Sequence, residues 1–231
     1  MEPIIRNYRG NFTPGGGGAR LINLGDNPPT TTLSYSHIAP GETSSHHIHA
    51  WEHEVFIIEG SGTLVCDGVN YPVKAGDAMF IPGNVDHYTL NDGGEGDIRR
   101  IEINLLVSSL SGGAKNSGGH GTGKPPVIKN LADLDTSPGA ARPVLTAEDG
   151  AKRYTLSHRG MAAGEVSPDH THQWEHLAYF LEGSCILTCD GQEYTVSEGD
   201  AILIPPYCAH EWSRSAGPVA NWLVFNPARG D

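Results

Sequence analysis

The chain has 231 residues, 38% of them apolar and 18% charged, with 30 glycines and 16 prolines, a composition that favours short strands joined by frequent turns over long helices. A formal charge of −12, with only 15 scattered Lys and Arg, argues against nucleic acid as a partner, because a phosphate backbone needs clustered positive charge. No apolar run approaches the ~20 residues that span a bilayer, and Met1 to Gly10 lacks the apolar core of a signal peptide; the expectation is a cytoplasmic protein with a small-molecule partner and no membrane contact.

In chain order, Gly15 to Gly18 reads as a loop, since it has neither the preceding strand nor the lysine of a phosphate-binding loop. Val55 to Glu59 reads as a strand closed by Gly60. Leu64-Val65-Cys66, then Asp67-Gly68, then Val69 to Val73 is a hairpin pattern on a two-residue turn. Gly76-Asp77 turns the chain into the strand Ala78 to Pro82. Ser108 to Pro126, rich in Ser, Gly and Lys, has little to bury and reads as a linker. The same elements then return: the strand Ala178 to Glu182 closed by Gly183, the turn Asp190-Gly191, and Gly199-Asp200 leading into Ala201 to Pro205. Neither copy contains a convincing helical period.

The return is regular. Thr32 to His87 lies over Thr155 to His210 at a constant offset of 123 residues without a gap. His47-Ile48-His49-Ala50-Trp51-Glu52-His53 meets His170-Thr171-His172-Gln173-Trp174-Glu175-His176, and Cys66-Asp67-Gly68 meets Cys189-Asp190-Gly191. Two copies of one domain explain this better than one large domain: residues 1–107, a linker over 108–126, and residues 127–231. The fold class is all-β, two tandem jelly-roll β-barrels, each of roughly eight to ten short strands in two facing sheets. A homodimer is the assembly considered.

Of the 12 histidines, eight occupy the same four repeat positions: His47, His49, His53 and His87, then His170, His172, His176 and His210. Residues i and i+2 on a strand face one way, so His47 and His49, like His170 and His172, present two imidazoles to one centre. His53 shares its parity with Val55 and Ile57, and His176 with Ala178 and Phe180, so both face inward. His87 and His210 follow Gly-x5-Pro segments that return the chain to the same mouth. Imidazole suits Zn, Fe, Ni, Cu and, less strongly, Mn, so one divalent transition metal per barrel is expected. Four neutral ligands leave the full +2 charge on the ion, which favours an anionic or readily deprotonated substrate. His37, His46, His120 and His158 fall outside the repeat positions and are read as ordinary core or surface residues.

Other groups are less decisive. Trp51 and Trp174 either wall the pocket or pack at its rim; Glu52 and Glu175 either orient a ligand histidine or face outward. Phe56, Tyr179, Tyr88 and Glu211 are placed outward by parity. Cys66, Cys185, Cys189 and Cys208 form no CxxC pair and are expected as thiols, with Cys66 and Cys189 buried.

The first copy reads Gly41-x5-His47-x-His49-x3-His53-x6-Gly60, then Gly76-x5-Pro82-x-Asn84-x2-His87-x3-Asn91; the second reads Gly164-x5-His170-x-His172-x3-His176-x6-Gly183, then Gly199-x5-Pro205-x4-His210. These resemble the two motifs of the cupin superfamily, over about two thirds of the chain. Most cupins carry glutamate as third ligand, and the Trp-Glu-His form here is similar to bacterial cupins in which that ligand is histidine, a subgroup with manganese-dependent oxygenase-like proteins and zinc-dependent cyclases. Glu54 also fits the glutamate spacing, but its repeat counterpart is Leu177, so His53 is favoured. Asn84 and Tyr207 replace the second-motif glycine, and Arg214 replaces Asn91; these departures are expected near the mouth, giving pockets of different shape. The resemblance implies a metal-dependent enzyme, dioxygenase-like toward an enolisable or aromatic substrate, with an isomerase, a cyclase or a non-catalytic metabolite- or metal-binding protein as alternatives.

Overall fold

A computed structural model describes residues 2–11, 18–106, 124–214 and 216–227. Most of the stretch read as a linker, and His120, lie outside the described residues. The first half contributes strands β1 (Ile4–Asn7), β2 (Gly18–Ile22), β3 (Thr31–Ile38), β4 (His53–Glu59), β5 (Ser61–Cys66), β6 (Val69–Lys74), β7 (Asp77–Ile81), β8 (His87–Leu90) and β9 (Ile98–Leu105). The second contributes β10 (Val127–Asn130), β11 (Arg142–Leu145), β12 (Tyr154–Met161), β13 (His176–Glu182), β14 (Ser184–Cys189), β15 (Gln192–Ser197), β16 (Asp200–Ile204), β17 (His210–Ser213) and β18 (Ala220–Pro227).

The expected turns make these strands. Asp67 and Gly68 both have positive φ, 48° and 75°, and close β5 on β6 with Cys66 opposite Val69; Asp190 and Gly191 do the same for β14 and β15. Each repeat has a three-stranded sheet, ordered β6-β5-β8 and β15-β14-β17, facing a six-stranded sheet, ordered β10-β7-β4-β9-β3-β2 and β1-β16-β13-β18-β12-β11. This is the jelly roll twice over. Among the described residues no continuous ladder closes either pair of sheets; isolated bridges, Thr43 to Leu90 and His47 to His87 in the first repeat, join their edges instead.

The halves exchange strands. β1 from the start of the chain pairs with β16 of the second jelly roll, Ile4 opposite Leu203, while β10 pairs with β7 of the first, Val127 opposite Phe80. Each large sheet therefore contains one strand from the other half of the chain. Matching side chains pin both strands: Asn7 Nδ2 donates to Asp200 at 2.8 Å and Asn130 Nδ2 to Asp77 at 2.7 Å. Arg6 pairs with Asp26, and Lys129 with Asp149 at 2.6 Å.

Among the described residues, three apolar cores result. Val55, Ile57, Leu64 and Ile81 fill the first jelly roll; Phe180, Leu187, Ile202 and Trp222 fill the second. The third lies between the large sheets and includes Tyr35, Phe56, Ile103, Leu177, Tyr179 and Phe225. Phe56 and Tyr179 thus point away from their own jelly roll, as parity requires, yet are buried, because the outer face of one sheet packs on the outer face of the other.

Candidate metal centres

The eight repeat histidines gather into two groups of four, with ligand atoms all within 4.8 Å of one another in each. His53 and His176 open β4 and β13, and His87 and His210 open β8 and β17. His47 and His49 come not from a regular strand but from an extended segment held by a bridge: His47 N–H donates to His87 O at 3.3 Å and His87 N–H returns the bond at 3.1 Å. His170 and His210 repeat this pairing. The i, i+2 relation survives because the segment is extended.

Every imidazole is held by its outer nitrogen. Nδ1 donates to Ser45 O at 2.8 Å for His47, Trp51 O at 2.8 Å for His49, Ile103 O at 3.2 Å for His53 and Val85 O at 2.8 Å for His87. The second group matches: Pro168 O at 3.0 Å, Trp174 O at 2.6 Å, Asn226 Oδ1 at 2.6 Å and Cys208 O at 2.9 Å hold His170, His172, His176 and His210. A carbonyl oxygen only accepts, so the proton sits on Nδ1 and each Nε2 turns a lone pair inward. Burial, followed by the neighbouring histidines, pushes His49 and His176 down to about 3, and burial and His53 push His87 down to about 4, so these rings stay neutral.

This arrangement fits a cation. His49 Nε2 faces His53 Nε2 at 2.6 Å, two lone pairs that repel unless something positive takes both. His172 and His176 face each other at 2.8 Å. His87 Nε2 and His210 Nε2 are buried without a hydrogen-bond partner. Trp51 and Trp174 each stack on the second histidine, ring centroids 4.2 and 4.3 Å apart and nearly parallel, and so brace a ring of the cluster.

Two pairs of residues lie elsewhere than the sequence suggests. Glu52 and Glu175 orient no histidine: Glu52 accepts from Arg153 N–H at 2.8 Å, and Glu175 accepts from Tyr154 OH at 3.0 Å and from Thr30, so both tie one half to the other. Asn91 and Arg214 do not sit at the mouth. Asn91 caps the far end of β8, donating to Ile38 O at 2.8 Å and Gly96 O at 2.9 Å, and Arg214 likewise donates to Ser184 and Pro218 carbonyls. Asn84 and Tyr207 do lie beside the clusters; with φ of 61° and 63°, they occupy the left-handed conformation that glycine usually supplies. Their N–H groups donate to His49 O at 2.6 Å and His172 O at 2.7 Å.

Cys189 and Cys208 are joined in a disulfide, with Cα atoms 6.2 Å apart, which corrects the expectation of four thiols. The end of β14 and the segment just before β17 bring together two residues 19 apart in sequence; Cys66 and Cys185 remain buried thiols. His46 pairs with Asp86 at the surface and His37 with Asp97, while His158 is buried.

Several residues at the clusters carried no sequence signal. Glu102 Oε1 stands 3.9 Å from His53 Nδ1, and Arg100 stands 3.4 Å from Glu102. Burial raises the Glu102 carboxyl, but the Arg100 guanidinium and an Asn104 hydrogen bond outweigh it and hold the group below the ordinary carboxylate range. Asn226 takes the place of Ile103 O behind His176. A cavity of about 460 Å³ opens beside the first cluster, lined by His47, Ser34, Ser36, Arg100 and Glu102 among others; one of about 540 Å³ opens onto His170, His172 and His176.

Tandem jelly rolls, each with four histidines converging at its mouth, define a bicupin. The cupin-domain family Cupin_2 matches residues 34–104 and 157–225, and the chain belongs to it. Among characterised proteins it is similar to the dimethylsulfoniopropionate lyase DddW of Ruegeria pomeroyi, 35% identical over 63 residues, which is 27% of this chain and 41% of that protein. It is also similar to gentisate 1,2 dioxygenase 1 of Aquipseudomonas alcaligenes, 29% identical over 105 residues, 42% of this chain and 30% of the relative. The chain thus matches less than half the length of each. Among solved structures, a mutant salicylate 1,2-dioxygenase of Pseudoaminobacter salicylatoxidans in complex with gentisate superposes with a TM-score of 0.75 at 15% identity over 97% of this chain and 82% of that one. A putative glyoxylate-induced protein of Pseudomonas aeruginosa superposes at 0.71 with 20% identity, over 88% and 77%. No helix among the described residues is long and apolar enough to cross a membrane.

Proposed function

We propose that this bicupin is a metal-dependent small-molecule enzyme whose two four-histidine clusters, His47, His49, His53 and His87 and then His170, His172, His176 and His210, each hold a divalent transition ion. We further propose that its reaction is a dioxygenase-like oxidation of an anionic, enolisable or aromatic substrate. The carrying observation is the uniform polarity of the rings: eight Nδ1 donors are spent outward, and eight Nε2 lone pairs are left to face inward beside open cavities. When bound, such an ion supplies Lewis acidity and, where it is redox-active, a path for electrons between substrate and dioxygen. The chain's own part is to fix the rings and leave one side of each cluster open to a small molecule.

The gentisate and salicylate dioxygenases among its relatives support the oxidative reading; the lyase relative supports the alternative of proton-transfer chemistry, isomerisation or cyclisation, at the same kind of site. The test is metal analysis of protein purified without added metal, then an oxygen-uptake screen with gentisate, catechols, flavonols and diketones. Uptake abolished by His53→Ala or His176→Ala supports the oxygenase. Full metal loading with no oxygen uptake, but with conversion of an enolisable substrate, favours the isomerase or cyclase, and full loading with no turnover favours a non-catalytic binding protein.

A further inference from the structure

The two clusters differ in what stands behind the third histidine. On β9 and β18, Glu102 lies opposite Val55 where Val224 lies opposite Ala178, and Arg100 lies opposite Ile57 where Trp222 lies opposite Phe180. Two structurally equivalent positions therefore hold an ion pair in the first jelly roll and two apolar side chains in the second.

The ion pair is built in. Glu102 accepts from Asn104 Nδ2 at 3.1 Å, and Arg100 donates to Ser36 Oγ at 3.2 Å and Thr89 Oγ1 at 3.1 Å, which leaves the carboxylate aimed along the Nδ1 side of His53. In the second jelly roll, His176 Nδ1 meets the neutral amide of Asn226, Trp222 stacks on Phe180, and among the described residues no carboxylate, Lys or Arg side chain lines the cavity. Taking an ion pair out of water is costly, and the second repeat shows that the fold closes well with apolar residues there. What the carboxylate changes is the ring in front of it: Ile103 O fixes the imidazole through Nδ1–H, and a negative charge 3.9 Å from that nitrogen strengthens Nε2 as a donor more than the neutral Asn226 amide does.

We propose that Glu102, braced by Arg100 and Asn104, is a positioning residue that makes His53 a stronger metal donor than His176, so that the two centres are electronically unequal. The inference rests on the reading of both clusters as metal centres. Its test loads the full-length protein with two equivalents of Co(II), whose visible bands report each ion's ligand field. Glu102→Gln is expected to weaken one equivalent about 10- to 100-fold and shift only that ion's bands. Glu102→Asp should restore part of both. In a His49→Ala background, which leaves the second centre's ion, Glu102→Gln should change nothing.

Asn226→Asp leaves Arg100 undisturbed and should move the second ion's bands toward those of the first, which keeps the test decisive even where the Gln variant does not fold. Unchanged bands and affinities in Glu102→Gln, equal weakening of both ions, or unchanged bands in Asn226→Asp would overturn the proposal while leaving the metal centres in place. A folded protein that takes up no cobalt sinks the metal-centre reading itself.

Discussion

Glu54 is buried at 0% exposure, and neither of its carboxylate oxygens has a hydrogen-bond partner. Burial, with Glu52 adding to it, raises its carboxyl well above the ordinary 4.5. Its counterpart Leu177 is also fully buried, in the core between the large sheets. Replacing Glu54 with Leu removes an unpaired polar group, worth about 1–3 kcal/mol, and buries an aliphatic chain in its place. A net gain of about 3 kcal/mol corresponds to a rise in Tm of roughly 6 to 12 °C for a chain of this size.

The gain also has a pH signature. A carboxyl with a raised folded value costs nothing extra below 4.5, where both states are protonated, and costs progressively more as pH climbs toward the folded value. The advantage of Glu54→Leu should therefore widen from pH 4.5 upward in differential scanning calorimetry. Metal content should not change, because the third histidine, not Glu54, faces the cluster. A Tm that stays flat or falls, an advantage that shrinks as pH rises, or the loss of one ion per chain would refute this reasoning.

Tyr207, 72% exposed with φ of 63°, strains its backbone, so Tyr207→Gly should raise the melting temperature by a few degrees, up to about 1 kcal/mol, with metal content unchanged. Glu175→Ala strips Tyr154 and Thr30 of a shared acceptor and should cost about 2 kcal/mol in denaturant titration without loss of metal, since Glu175 touches no histidine. Chelator-treated protein should lose stability as pH falls from 6.5 toward 4. In that window the unfolded histidines take protons that burial denies to His49, His87 and His176, and a flat thermal profile there would contradict the assigned ring states.

The fold was legible because each strand break is written in turn chemistry, as at Asp67-Gly68, and because the second copy repeats every break at one offset. The histidine clusters were legible for the same reason: four positions that recur together separate the residues that converge from ordinary core histidines. The strand exchange was also written, as Ile4-Ile5-Arg6-Asn7 over Val127-Ile128-Lys129-Asn130 at the same 123-residue spacing, but strands of four residues are too short to show which sheet they join. Glu102 and Asn226 were hidden because β9 and β18 lie beyond a loop of different length in each repeat. There the constant offset no longer pairs Glu102 with Val224, and only the strand register does. The burial of Phe56 and Tyr179 escaped parity, which gives a face but not what covers it.

Metal stoichiometry of the full-length protein after loading and desalting, measured by inductively coupled plasma mass spectrometry, bears most directly on the two-centre account. Two transition ions per chain are expected, one in either His49→Ala or His172→Ala, and none in the double variant. Two ions retained by the folded double variant, or a folded wild-type chain that holds none, would contradict it.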